Sequence, residues 1–279
     1  MPEITAAAVK TLRQKTGLPM MDCKKALQEV AGDIDKAVEL LRISGAKLME
    51  KRAGRATTSG RIAIYIGPEQ GRAAMADLRC ESAPVAVNGE FIQLADDLAR
   101  QLATGPGAAT AEELLAQPSP SGKAATLQQQ FDDLVNRIRE VFRLERIVRL
   151  DGPAGGYAHH NAAAGVLLQF EGEGGELPRD ICMHVAALRP QVLRREELDP
   201  SEVEKEREIL AEMSRKEGKP ENIVAKMVEG RMREFYAARC LEDQPIANEM
   251  KFGKKTVGQV AKEAGMKLKR FVHWELPKE

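Results

Sequence analysis

Leu12-Arg-Gln-Lys-Thr-Gly17 and Met20-Met-Asp-Cys-Lys-Lys-Ala-Leu27 lie in a segment whose apolar residues recur every three or four positions. Thr5 is placed to cap a first helix with Val9 and Leu12 on one face, and Gly17 to end it. Asp22 is expected to cap a second helix carrying Ala26, Leu27 and Val30, which Gly32 stops. A third starts at Asp33 or Asp35, turns Val38, Leu40 and Leu41 inward, and ends near Gly45. Three short helices predict a compact bundle, and residues 1–54 are taken as the first domain. Leu18-Pro19-Met20-Met21 is left between helices one and two. Its methionines either fill the core or offer an adaptable apolar contact to a partner. Residues 46–60 are basic, then small and polar, and read as a helix end running into a linker.

The period changes after that linker. Arg61–Ile66 alternates, Gly67–Gly71 reads as a turn, and Ala73–Cys80 returns as the second strand of a hairpin. Phe91, Leu94, Leu98 and Leu102 mark a helix from Gly89 to Ala103. A Gly-, Pro-, Ala- and Ser-rich loop follows, with one helical turn near Glu112–Ala116. A second helix is predicted over residues 124–141, and Leu144–Leu150 as a strand. Tyr157–His160 and Val166–Phe170 are strand-like, and Leu177–Leu188 is helical. The order strand, loop, strand, helix thus occurs twice, which predicts duplicated α+β subdomains over residues 55–143 and 144–279. Between about residues 200 and 240 the chain is helical again, broken at Gly218-Lys-Pro220. Its inward stripes are Val203, Leu210 and Met213, then Val224, Met227, Val228, Phe235 and Tyr236. Nine acidic and nine basic residues between Ser201 and Cys240 predict a solvated antiparallel hairpin. A short helix (Thr256–Ala264) and a last strand (Lys267–Glu275) follow. The fold class is therefore α+β.

Composition limits the function. The 279 residues carry 42 Lys+Arg and 42 Asp+Glu, so the net charge is zero. A protein held to nucleic acid through phosphates shows a basic excess or stripe. Aromatics make up only 4% of the chain, too few for single-strand stacking platforms. No apolar run approaches the ~20 residues of a membrane span. The first residues lack the basic start and apolar run of a secretory signal, so a cytoplasmic location is expected. Cys23, Cys80, Cys182 and Cys240 are far apart and read as buried, reduced thiols.

Signals for bond-making chemistry are weak throughout. Gly253-Lys-Lys-Thr256 lacks the glycine spacing of a phosphate loop. Cys182-Met-His184 offers two ligands with no second pair nearby, and His159-His160 would point opposite ways in a strand. The carboxylates cluster with Lys and Arg on predicted helix faces. No cofactor or metal is called for, and the residues describe a modular binding protein.

The opening segments, read together, are similar to the N-terminal signature of bacterial translation elongation factor Ts. Further matches follow in order: Gly32-Asp-Ile34, Met183-His-Val-Ala-Ala187, Gly218-Lys-Pro220, Lys226–Met232, Gln244-Pro245 and Lys255–Gln259. The resemblance implies a nucleotide exchange factor, not an enzyme, that binds the GTPase elongation factor Tu in its GDP-bound and nucleotide-free forms. It implies no direct contact with nucleic acid or membrane. It also implies that the first bundle is a ubiquitin-associated-like domain, and that the hairpin protrudes from the core. By the same resemblance Leu12, Met20, Met21, Lys24 and His184 are partner-contact candidates.

Two stretches depart from the family pattern. Members usually carry Thr-Asp-Phe-Val where this chain has Ser82-Ala83-Pro84-Val85, a motif that helps dislodge the partner's magnesium ion. Ser82 and Val85 keep the pattern, but Ala83 removes a charged acceptor and Pro84 removes a large apolar wedge. Members also often have Arg-Ile where this chain has Ala163-Ala164. Exchange is expected to lean more on the bundle, the His184 helix and the hairpin. The alternative is a scaffold that holds the same GTPase without driving exchange. RNA binding is a distant third.

Overall fold

A computed structural model describes residues 4–67, 71–217 and 220–277. Three helices form first: α1 (Ala6–Thr16), α2 (Met20–Glu29) and α3 (Ile34–Glu50). The Thr5 hydroxyl accepts from the Ala8 amide, and Gly17 closes α1 at φ 70°, its N–H on the Arg13 carbonyl. The start of α2 differs from expectation. Pro19, not Asp22, holds the capping position, where its missing N–H costs nothing. Asp22 instead lies in the first turn, where a carboxylate meets the positive end of the helix dipole. The two methionines are therefore helical, not part of a loop. Helix α3 also runs past Gly45, its expected stop. A Cβ there would lie 1.8 Å from the Asn136 side chain, so the glycine serves close helix packing. Val9, Leu12, Leu18, Cys23, Leu27 and Leu41 fill the bundle's core.

Strands β1 (Ser59–Ile66) and β2 (Arg72–Cys80) pair antiparallel, with Ala63 opposite Ala76. Gly67 starts the turn by donating to the Arg72 carbonyl; Pro68–Gln70 of the expected turn lie outside the described residues. Helices α4 (Ala83–Ala86), α5 (Gly89–Thr104), α6 (Ala111–Leu115) and α7 (Leu127–Ile138) follow, and β3 (Arg143–Asp151) pairs with β2. Helix α7 is shorter than predicted because Thr126 caps its start and Arg139, at φ 64°, ends it. The pairing of β3 places the predicted strand 144–150 in the first sheet, so the division between sheets falls near Gly152-Pro153, after the expected boundary at 143.

The second sheet repeats the order: β4 (Ala154–Ala158), β5 (Ala164–Glu171) and β6 (Lys267–Glu275), all antiparallel. His159 and His160 are not in a strand. They sit in the β4–β5 turn with rings 4.3 Å apart, because a turn does not alternate side chains. Helix α8 (Leu177–Leu188) and α12 (Val257–Glu263) cover this sheet, and Phe252 of α11 (Glu249–Phe252) packs against the same core. One core separates the first sheet from α5 and α7, and another separates the second sheet from α8 and α12. A third lies between the sheets, around Ile62, Met75, Leu150 and Leu167. Gly165 permits that contact: a Cβ there would stand 2.6 Å from Ile62 and 2.9 Å from Met75. The result is four layers: helix, sheet, sheet, helix.

Helices α9 (Pro200–Lys216) and α10 (Glu221–Arg239) form the expected hairpin. Leu210, Val224, Val228, Met232 and Phe235 make its seam. Met213 does not join it. The seam passes one residue on, through buried Ser214, whose hydroxyl donates to the Leu210 carbonyl. Of the expected break, Gly218 and Lys219 lie outside the described residues, and Pro220 caps α10. Among the described residues no helix is long and apolar enough to cross a membrane.

Candidate docking site

The α2 surface is built by its own first turn. Met20 is 48% and Met21 61% exposed, large values for apolar side chains. Lys24, also exposed, stands four residues after Met20 and shares its face. Neither methionine is core filler. Leu12, by contrast, is fully buried: it supports the face from inside the bundle and is not part of its surface.

The segment Ser82–Val87 lies at the end of β2 and forms the short helix α4. The Ser82 hydroxyl donates to Glu140 Oε1 at 2.5 Å, and its amide donates to Oε2 at 3.0 Å. That bond turns the hydroxyl toward Glu140, and it makes no capping bond to α4. Ala83 and Pro84 are exposed, Val85 tucks against the first core, and Val87 stands 71% exposed. Within Ser82–Val85 the outward positions are therefore the two that depart from the family pattern. Burial, with nearby Glu140 adding to it, pushes the Cys80 thiol up to about 12, which leaves it inert as a nucleophile.

These two surfaces are tied together through residues that the sequence did not single out. Arg139 pairs with Asp22 on α2 and its carbonyl accepts from Arg52 at 2.5 Å. The next residue, Glu140, holds Ser82. Glu81 in turn pairs with Arg55 at 2.9 Å and accepts the Val141 amide at 2.8 Å. Residues 139–141 thus anchor α2, the linker and the 81–87 segment at once. No local pattern announces this, since it depends on a non-glycine residue in a left-handed conformation.

His184 is elsewhere, on α8, and is only 1% exposed. Its Nε2 lies 2.9 Å from Gln244 Oε1, and the Ala247 amide donates to its Nδ1 at 3.1 Å. Burial lowers its pKa, partly offset by the Gln244 bond. Its neighbour Cys182 points into the second core. Above His184 opens a groove of about 570 Å³ lined by Asp180, Met183, Ala187, Asn248 and Met250. Met183 and Met250 are its exposed apolar residues. A second groove of about 510 Å³ adjoins it at the C-terminal end of α8, where Ala163 and Ala164 line it with His159, Ala187 and Arg189. No described contact joins His184 to Met20, Met21 or Ser82. Among the described residues no group of three His, Cys, Asp or Glu is arranged to hold a metal ion.

A family model described as elongation factor TS matches residues 84–278. The chain is similar to elongation factor Ts of Corynebacterium urealyticum, 42% identical over 282 residues, which are 99% of each chain. It is also similar to elongation factor Ts of Aquifex aeolicus, 38% identical over 285 residues and 96% of each chain. A third relative, from Thioalkalivibrio sulfidiphilus, is 37% identical over 98% of this chain and 92% of its own.

Proposed function

Because the chain belongs to the elongation factor Ts family of translation elongation factors, we propose that it binds elongation factor Tu and promotes release of GDP so that GTP can enter. It does so as a binding protein and makes or breaks no bond. The observation that carries this reading is the exposed Met20-Met21-Lys24 face, an apolar pair with a flanking cation fixed on a short helix. In this reading residues 1–54 are the docking bundle, residues 55–143 and 144–279 the core subdomains, with the β3 strand of the second paired into the first sheet, and the site of action is the cytoplasm.

The physics is linkage. A factor that prefers the nucleotide-free GTPase weakens nucleotide binding by the same coupling that nucleotide exerts on the factor. About 3 kcal/mol of coupling changes GDP affinity more than a hundredfold. Met20, Met21 and Lys24 supply affinity, with Leu12 holding their helix. The α8 groove over His184 supplies a second contact. Mg²⁺ demands near-ideal octahedral geometry, so a small displacement of the partner's loops loosens both ion and diphosphate. The Ser82–Val85 window would press there with less force than in most members, because Ala83 and Pro84 present neither charge nor ring.

That same window supports the second reading, a scaffold that holds the GTPase without exchange. Release of a fluorescent GDP from elongation factor Tu decides between them. Exchange predicts release that accelerates with factor concentration. A stable complex with unchanged release selects the scaffold, and absence of a complex ends both.

A further inference from the structure

Two motifs matched the family without acquiring a joint role: Met183–Ala187 on α8 and Gln244-Pro245 after α10. The fold places them face to face, 60 residues apart in sequence. We propose that Gln244 is a positioning residue, which fixes His184 as its Nε2–H tautomer and so clamps the 244–250 wall of the groove onto α8.

The tautomer follows from an invariable donor. The Ala247 amide can only donate, so the Nδ1 it reaches at 3.1 Å carries no proton. A neutral ring must then carry its proton on Nε2, and the group 2.9 Å away must be the amide oxygen of Gln244. Ring and loop are therefore interlocked. Without the Gln244 oxygen, only the Ala247 bond still favours a proton on Nε2, and that buried N–H is left with no acceptor, so the Nδ1–H tautomer becomes competitive. With the proton on Nδ1, two donors would face each other and Ala247 would be pushed off α8.

The surrounding loop is built to transmit this. Gln244 is itself buried, its carbonyl accepts the Val257 amide at 3.0 Å, and Ile246 is sunk in the second core. The far end of the wall is held by Lys251, 2.7 Å from Asp180 on α8. Between these two ties stands Met250, fully exposed and facing the groove that Met183 lines. The buried tie sets the distance between the two methionines, and the surface tie is open to solvent and salt.

The affinity part of the test rests on the exchange reading above; the spectroscopic part does not. Nitrogen-15 spectra of the full chain report ring protonation, with His184 assigned by its loss in His184→Asn. The expected wild-type ring has a protonated Nε2 and a bare Nδ1. Gln244→Met keeps volume and removes the strong acceptor. It is expected to mix the tautomers and to raise the half-saturating concentration for stimulated GDP release roughly tenfold, the size of one important interface residue, with the maximal rate unchanged. An Nδ1–H ring in the wild type overturns the proposal. So does any Gln244→Met result in which tautomer and half-saturating concentration fail to move together. If the wild-type factor does not accelerate GDP release, the exchange reading fails, and the ring spectra alone then judge the clamp.

Discussion

On α2 the residues expected to meet a partner stand in the open, whereas on α8 the expected residue is sealed beneath a groove. Met20 and Met21 project from a helix whose core is complete without them. His184 has both ring nitrogens engaged and nearly no exposed surface. The difference separates two ways of building a contact. A face such as α2 can be altered without disturbing the fold beneath it. A groove such as that over α8 takes its shape from buried hydrogen bonds, so altering it changes contact and structure together.

The most severe break of this contrast comes from beneath the α2 face. Leu12→Ala leaves a cavity in a small core and is expected to cost about 2–5 kcal/mol. A bundle of three short helices has little reserve against that. Thermal melting should show loss or a large downward shift of the bundle, with exchange falling as a consequence. An unchanged melting profile would mean that Leu12 does not carry the bundle.

Next comes the face itself. Met20→Ser with Met21→Ser removes two exposed thioethers. Fully burying such a side chain is worth ~1.5–3 kcal/mol, and each is only about half exposed, so the pair together is worth about 1.5–3 kcal/mol and the half-saturating concentration should rise roughly tenfold to a hundredfold. Melting should shift by less than about 0.5 kcal/mol, since neither side chain is core. Unchanged kinetics would remove α2 from the docking surface. Restoring the family's usual residues at the third region sharpens the comparison further. Ala83→Asp with Pro84→Phe places a charge and a ring on two exposed positions of α4. The maximal rate of GDP release should rise several-fold, with little change in the half-saturating concentration, because the added groups act on the magnesium region and not on docking. A rise in affinity alone would show that this window docks without displacing the ion.

Much of this arrangement was legible in the sequence, for a physical reason. Thr5 and Gly17 act within one helical turn of α1, so that cap and that helix end follow from neighbours. Strand β6 and helix α8 matched their predicted limits, the helix because its buried Leu177, Ile181 and Val185 recur every four residues. Partners distant in sequence stayed hidden. Gly45 reads as a stop until Asn136 is seen against it. The strand 144–150 reads as the start of a second unit until β2 claims it. At the candidate site, the exposure of Met20 and Met21 could be suspected from their place after Pro19. The burial of His184 could not, because Gln244 and Ala247 approach it from a distant loop.

The smallest effect distinguishes the two regions by pH. The α2 face carries no histidine, while the second half of the core holds His184 and half-buried His273, both lowered below the ordinary value of 6.5, chiefly by burial. Well above pH 6.5 these rings are neutral whether the chain is folded or not, and their environment is fully compatible with folding. As pH falls below 6.5 the unfolded chain takes up protons that the folded chain refuses. The unfolded state then binds more protons, so stability falls, by at most about 1.4 kcal/mol per pH unit for each ring. Carboxylates held low by hydrogen bonds, such as Asp199 at the start of α9, add their own loss only nearer pH 4. Urea unfolding between pH 7 and 5 should therefore show a declining stability that His184→Asn makes shallower. The slope is the readout, so a general loss of stability in the variant does not obscure it. An identical slope would mean that His184 is protonated equally in both states, and the contrast between an open face and a sealed groove would lose its electrostatic half.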